Sequence, residues 1–507
     1  MSLLGVDLGT SGVRVGATDA SGRVLVRVGR SSRPTTPGPD LAEVDADQVV
    51  ADTVALLAEV AAHPALEADP PLALSVCSQG EAAVPVDAAG RALAPAPVSR
   101  DRRGAGAVEG VVARVGAAQV QRISGQPVHP MFTLYRVAAE PGLWSSATVR
   151  GLRCLPDYVM GRLGGRGAGA VTDTTVAART GLLDVERRTW SAELADASGV
   201  DLAWLPEVVD PGTVVGGLAP GVAAATGLAA GLPLVVASHD QATSWWGGGG
   251  SVGETSVFSF GSSDCLTIGT PGRPDGLVGT GVATYPGPAD TWLTLAGTAA
   301  GGWALDWFGR TVGASDPAGL HALLDAASEV PAALLVLPYL AGSGTLDNDP
   351  AARGAVVGLA LDTTRADLAR AFLEAGGYEL RKIAAGLADL GIVVGAVLAV
   401  GAGALSRRSL GIRADAAGRT LTVGADAGAL RGAALQAAVG IGLHASFADL
   451  PRPPVLHAAE PDPALVGWFA SQGRRYADLY AALAPLGPPN AAPSASPDPT
   501  NPHHPSH

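Results

Sequence analysis

The chain has 507 residues, 47% of them hydrophobic and 16% charged, more than one ordinary core would hold, so two large domains are expected. Its formal net charge of −13 excludes a nucleic-acid-binding surface, which needs clustered Lys and Arg to displace counterions. Lys382 is the sole lysine, which excludes a Walker A loop and a protein-kinase site, since both place a lysine on the phosphates.

Three strands are expected first, at Leu3–Val6, Val13–Thr18 and Val24–Val28, joined by turns such as Ala20-Ser21-Gly22. A helix follows at Asp45–Ala62, with Asp45 as N-cap and an apolar face of Val49, Val50, Val54 and Leu57. A buried strand, Leu72–Cys77, comes next, and the alternation of strands with helices implies an α/β domain with a mixed sheet. Residues 95–188 read as a loop-rich region carrying substrate contacts. The uncharged stretch 211–239 is long enough to raise a membrane span. Its six glycines, with Pro220 and Pro233, make it instead a loop, short helix, turn and strand, and no membrane partner is expected.

The strand Leu232–Ala237 ends in Ser238-His239-Asp240-Gln241, where the domain junction is placed. Beyond it come a helix Arg365–Leu387 capped by Thr364, a strand Gly391–Val400 running into Gly401-Ala402-Gly403-Ala404, and helices from Leu430 and over Ala464–Ala484. The expected division is 1–242 and 243–484, with 485–507 a disordered tail dominated by Pro, Ser, Asn and His. Cys77, Cys154 and Cys265 form no metal-ligand or disulfide pattern, and the N-terminus meets Asp7 too early for a signal peptide. Both features point to a reducing cytoplasm.

Two segments carry the chemistry. In Leu3–Gly16, two apolar strands flank Gly9-Thr10-Ser11-Gly12, with Asp7 just before the turn and Arg14 just after it. Glycines and small hydroxyl residues let N–H and O–H groups converge on an anion, and an acid at the rim can hold Mg²⁺. An ordinary hairpin with an exposed Asp has the same local sequence. The pattern returns at Ser256–Ile268, around Gly261-Ser262-Ser263. Two such hairpins far apart suggest two related domains, each offering a phosphate loop to one cleft.

With both hairpins and Asp240-Gln241 placed, the chain resembles the FGGY carbohydrate kinases over essentially everything from Leu3 to Ala484. Asp7-Leu8-Gly9-Thr10-Ser11 resembles the family's first phosphate motif, and 75–79 with 86–91 its sugar-side strand and turn. The segment 99–103 sits where members carry an Asp and an Arg beside the substrate, and Gly401–Ser406 occupies the adenosine-motif position. The run 337–345, leading to 349–355, 357–359 and 367–368, closely matches the C-terminal signature.

The resemblance implies two duplicated ribonuclease-H-like, actin-like domains around a central cleft, and phosphorylation of a sugar or polyol hydroxyl by ATP with Mg²⁺. It implies Asp240 as general base and Asp7 as the metal-binding carboxylate. Gly9, Thr10, Ser11, Arg14, Gly261, Ser262, Ser263, Gly401 and Gly403 are expected around ATP, and Gln79, Glu81, Asp101, Asp240 and Gln241 around the substrate. The expected partner is a small-molecule sugar or polyol, with a homodimer as the assembly to consider.

The chain also departs from the family pattern. Gln79-Gly80-Glu81 resembles the Gln-Arg-Glu of glycerol kinases but lacks its arginine, and Leu405 replaces a basic residue in the adenosine motif. His239 stands where many members have Gly; it can touch substrate, tune Asp240 or simply pack. Trp245 and Trp246 can stack on a sugar or belong to the core. Two other functions stay open: a sugar-acid or deoxyketose kinase on the same fold, and a non-catalytic sugar or nucleotide switch.

Overall fold

A computed structural model describes residues 1–483 apart from 11, 39, 166, 299, 315 and 341. The expected tail 485–507 and the proposed phosphate ligand Ser11 therefore lie outside the described residues. Two sheets organise the chain, and the labels below number their strands and the helices that position the site.

The first sheet comprises β1 (Ser2–Gly9), β2 (Gly12–Asp19), β3 (Val24–Ser31), β4 (Pro71–Ser78), β5 (Val214–Gly217) and β6 (Pro233–Val236), in the spatial order β5-β6-β4-β1-β2-β3. Strands β1, β4 and β6 are parallel, while β2 and β3 fold back antiparallel. Helix α1 (Ala46–Ala61) starts where expected, with the Asp45 carboxylate accepting from the N–H groups of Asp47 and Gln48. Its Val49, Leu56, Leu57 and Val60 enter the core formed with Leu4, Val6, Val15 and Leu74. The region 95–188 is richer in helix than its sequence suggests: short helices lie at Val108–Val115, Ala117–Ser124, Thr133–Ala139 and Leu155–Gly164, and α2 spans Thr174–Arg179. Periodicity is hard to read over segments this short. Helix α3 (Asp240–Gly248) then leaves the end of β6, so the 242/243 division falls inside one helix.

The second sheet repeats the plan. Its strands are β7 (Thr255–Phe260), β8 (Asp264–Thr270), β9 (Ala283–Pro286), β10 (Trp292–Thr298), β11 (Ala396–Val400), β12 (Leu421–Gly424) and β13 (Val455–Ala459), in the order β9-β10-β8-β7-β11-β12-β13. The five-strand core β10-β8-β7-β11-β12 matches β3-β2-β1-β4-β6 in order and direction. Helices α4 (Gly302–Thr311), α5 (Arg365–Asp389), α6 (Arg407–Ala417), α7 (Ala429–Gly440) and α8 (Val466–Leu483) accompany it. Thr364 and Asp367 form a reciprocal capping box at the start of α5.

The halves are joined by α3 and α7. A Cβ on Gly247 would lie 2.1 Å from the Gly428 carbonyl oxygen, and one on Gly432 would lie 2.0 Å from that of Thr243, so the two helices meet where neither has a side chain. Arg431 on α7 reaches the Gly22 and Ser21 carbonyls of the first half and the Gly247 carbonyl of α3. Trp245 and Trp246 are buried, with Trp245 against Gly250 and Gly269 and Trp246 against Phe447, so they belong to the core rather than to a sugar platform. Among the described residues, no helix is long and apolar enough to cross a membrane.

Candidate active site

The two hairpins point at each other. Thr10 at the β1–β2 turn and Ser262 at the β7–β8 turn lie with their hydroxyl oxygens 3.1 Å apart, across 252 positions of sequence. The second loop is held from behind, since the Gly302 and Trp303 N–H groups at the start of α4 donate to the Gly261 and Ser262 carbonyls. Gly401, after β11, adopts φ 91°, and a Cβ there would lie 2.5 Å from the Phe260 carbonyl oxygen. Gly403 rests on the Phe260 side chain, so the 401–404 loop abuts the second hairpin.

Asp7, near the end of β1, receives a hydrogen bond from Arg14 Nη1 at 3.0 Å. Burial raises its carboxyl above the ordinary range; Arg14 pulls it down, and the charge of Asp240 pushes it up again. The charges of the two carboxylates therefore act on one another. Asp240 is the first residue of α3, with 29% of its side chain exposed. Its Oδ1 accepts from the Gln241 N–H at 2.7 Å and lies 3.2 Å from His239 Nδ1. The Gln241 side-chain Oε1 is buried and takes no hydrogen bond from the described residues.

On the substrate side, Glu81 is buried rather than exposed on a loop, and it pairs with Arg179 at 3.4 Å. Burial alone would raise the Glu81 carboxyl, but Arg179 and smaller contributions hold it below the usual range. Arg179 comes from α2 and passes over Gly80, where a Cβ would lie 2.5 Å from the Arg179 Cβ. A side chain at position 80 would collide with Arg179, so glycine there leaves room for the Arg179–Glu81 pair. Arg179 also donates to Gln126 Oε1 at 3.0 Å, while the Gln126 Nε2 is buried without a partner. Neither Arg179 nor Gln126 stood out in the sequence.

Gln79 accepts from the Ser99 N–H and hydroxyl. Asp101 stands apart: its two oxygens already take hydrogen bonds from the Ala42 N–H, the Arg103 N–H, Arg103 Nε and Arg103 Nη2. Arg103 pairs in turn with Glu43 and Glu140. An ionised carboxylate offers about four acceptor sites, and here the protein uses four, which ties down the loop near Gln79.

The arrangement combines two hydroxyl-bearing turns in contact, two carboxylates whose charges interact, and a buried polar cluster of Glu81, Arg179 and Gln126. Comparison with known proteins gives it a class. Residues 2–247 match the model of the N-terminal domain of the FGGY family of carbohydrate kinases, and residues 256–441 match that of its C-terminal domain. The chain belongs to the FGGY family of carbohydrate kinases, enzymes that transfer phosphate from ATP to a sugar or polyol hydroxyl. Among its relatives is the xylulose kinase of Escherichia coli (strain K12), 29% identical over 493 residues, covering 95% of this chain and 99% of the relative. A glycerol kinase of Geobacter sp. (strain M21) is 27% identical over 392 residues, covering 74% of this chain and 77% of its own. The crystal structure of xylulose kinase from Rhodospirillum rubrum superposes with a TM-score of 0.82 at 26% identity, covering 96% of this chain and 99% of that one. The duplicated sheets are accordingly the two actin-like domains expected.

Proposed function

We propose that the cleft phosphorylates a neutral ketose or polyol, with Asp240 as general base and the two hairpins holding the phosphates of ATP. The observation that carries this reading is the Thr10–Ser262 contact, which brings both phosphate turns to one point beside Asp7 and Asp240. In this reading Gly9, Thr10, Ser11 and Arg14 serve the phosphates from the first hairpin, Gly261, Ser262 and Ser263 from the second, and Gly401 and Gly403 receive the adenosine. The substrate hydroxyl meets the Asp240 oxygen that takes no hydrogen bond from the described residues and gives up its proton there as it attacks the γ-phosphate.

The unpaired Gln241 Oε1 and Gln126 Nε2 suit the donors and acceptors of further hydroxyls, together with Gln79 and Glu81. Arg179 is already neutralised by Glu81, which favours a neutral sugar over a sugar acid. Mg²⁺ fits the oxygen donors present, a carboxylate next to phosphate turns rather than an all-protein cage. Asp7 would hold it, and when bound it neutralises charge on the phosphoryl oxygens. The proposal includes two domains meeting around the turn after α3, a homodimer as the assembly to test, and a reducing cytoplasm, in keeping with three buried free cysteines.

The test is ADP release from Mg-ATP across a panel of ketoses, polyols and sugar acids. A sugar-dependent rate that falls by about 10²–10⁴ in Asp240→Asn, roughly 3–5 kcal/mol of barrier, is expected. Undiminished turnover in that variant, or sugar binding without turnover across the panel, would overturn the reading.

A further inference from the structure

We propose that His239 and Tyr285 are positioning residues that lock one oxygen of Asp240 and make its orientation depend on the second half of the molecule. The inference rests on the base role of Asp240 proposed above. Three contacts define the chain: Tyr285 Oη to His239 Nε2 at 2.6 Å, His239 Nδ1 to Asp240 Oδ1 at 3.2 Å, and the Gln241 N–H to the same oxygen at 2.7 Å. His239 ends the crossing from β6 into α3, whereas Tyr285 lies on β9 of the second sheet. The bridge therefore joins the two halves of the molecule inside the core.

One arrangement of protons satisfies every atom. A neutral imidazole has one donor and one acceptor nitrogen, and its partners decide which is which. The carboxylate can only accept, so Nδ1 carries the hydrogen and Nε2 receives the Tyr285 O–H. With the opposite tautomer Nδ1 could accept from the Gln241 N–H, 3.3 Å away, but that N–H already lies 2.7 Å from Asp240 Oδ1. The two acceptors would then face each other, and the Tyr285 O–H would lose its acceptor at Nε2. Burial supports the neutral form, since it holds the imidazolium of His239 below its ordinary range and keeps the Tyr285 phenol protonated.

The ring is itself held on both sides. Its backbone N–H donates to Thr175 Oγ1 at 2.8 Å, and Thr175 donates to Asp173. The imidazole and phenol rings meet edge-on with centroids 5.1 Å apart. His239 and Tyr285 are 1% and 0% exposed, so neither reaches bulk solvent, and Asp240 alone in the chain presents an atom to the cleft. Two donors fix Oδ1, and Oδ2 is left to face the substrate hydroxyl. A misplacement of about 1 Å at a reacting group can cost on the order of 10²-fold in rate, so fixing this carboxylate matters more than the modest worth of one hydrogen bond.

The experiment measures kcat, KM for sugar and ATP, and thermal midpoint for His239→Gln, His239→Asn and Tyr285→Phe, with Asp240→Asn alongside. Gln reaches toward Tyr285 but cannot place its amide at the Nδ1 position; Asn places its amide there but cannot reach Tyr285. His239→Gln is expected to lose about 10²-fold in kcat with KM values unchanged, and His239→Asn to recover part of that loss. Tyr285→Phe should lose about fivefold, and should cost nothing further when added to His239→Asn, because the link it breaks is already gone. Wild-type kcat in a folded His239→Gln protein overturns the inference, as does equal loss in the Gln and Asn variants. If those variants lose kcat only in step with a fallen thermal midpoint, the residues merely pack and the inference is again overturned. Retained activity in Asp240→Asn would instead overturn the base assignment beneath it.

Discussion

The two phosphate hairpins share a plan and differ in where they put charge. Aligned on Gly9-Thr10-Ser11 and Gly261-Ser262-Ser263, Asp7 corresponds to Ser259 and Gly12 to Asp264. The first hairpin carries its carboxylate before the turn, at the cleft, paired with the half-exposed Arg14. The second carries its carboxylate after the turn, and Asp264 is 1% exposed with neither oxygen hydrogen-bonded among the described residues. Its loop is also one residue longer, since Phe260 and Asp264 close it whereas Gly9 and Gly12 close the first. Duplication has preserved the hydroxyl turns that face phosphate and let the charged positions diverge. In the proposed function one half supplies the acid that would hold the metal, and the other supplies neutral donors.

The largest effect should come from exchanging these roles. Asp7→Asn removes the carboxylate proposed to hold the metal and is expected to lower Mg²⁺-dependent phosphotransfer on the order of 10²–10³-fold, the several kcal/mol a metal contributes to charge stabilisation. Ser259→Ala, at the corresponding position, should cost less than about tenfold. The Asn variant should not melt earlier, because it relieves repulsion with Asp240 and sacrifices only an ion pair to an arginine with 47% of its side chain exposed. Comparable activity in the two variants would show that the hairpins do not divide the work this way.

Asp264 offers the next test. Burial lifts its carboxyl to about 6 from an ordinary 3.8; Arg413 opposes the shift and Glu379 adds to it. Arg413 is buried too and lies over the Phe260 ring, and its Nε has no hydrogen-bond partner among the described residues. A carboxyl with a raised pKa in the folded state binds its proton more tightly there than in the unfolded chain. Its contribution is neutral below about pH 4, turns unfavourable as pH rises toward 6, and settles near 3 kcal/mol of lost stability above that. Asp264→Asn should therefore be more stable than the parent at pH 8 by up to about 3 kcal/mol, with the gap closing by pH 4 in chemical denaturation. A gap that is independent of pH would mean that Asp264 is ionised and satisfied.

Much of this was legible in the chain because it is local. A strand, a hydroxyl turn and a second strand can be read within ten residues, as can the Asp45 and Thr364 caps that the structure bears out. Arg179 was not legible: it meets Glu81 across 98 positions, and its only trace is the bare glycine at 80 that admits it. Tyr285 lies 46 positions from His239, on a strand whose pairing rather than its own sequence brings it there. Asp101 was visible as a charged residue in a suggestive place, yet Arg103 two positions later folds back and uses its oxygens. What sequence could not supply was which carboxylates are spoken for, since that depends on which side chains reach them through space.

The smallest expected effect bears most directly on whether the hairpins work as one site. Thr10 and Ser262 share a single neutral hydrogen bond that is partly buried, so Thr10→Val or Ser262→Ala should cost no more than about 1 kcal/mol of stability. In the proposed function their hydroxyls have a second use, because each turn offers its O–H to phosphate and binding would replace the bond between them with bonds to ATP. Each single variant should then raise KM for ATP severalfold while leaving kcat for the sugar close to the parent value. The double variant is the sharper measurement. If the turns grip one nucleotide, the second substitution should cost less than the first, with a coupling of about 0.5–1 kcal/mol in ATP affinity by calorimetry. Strict additivity would mean that each hairpin binds on its own account and that their contact across the cleft is incidental.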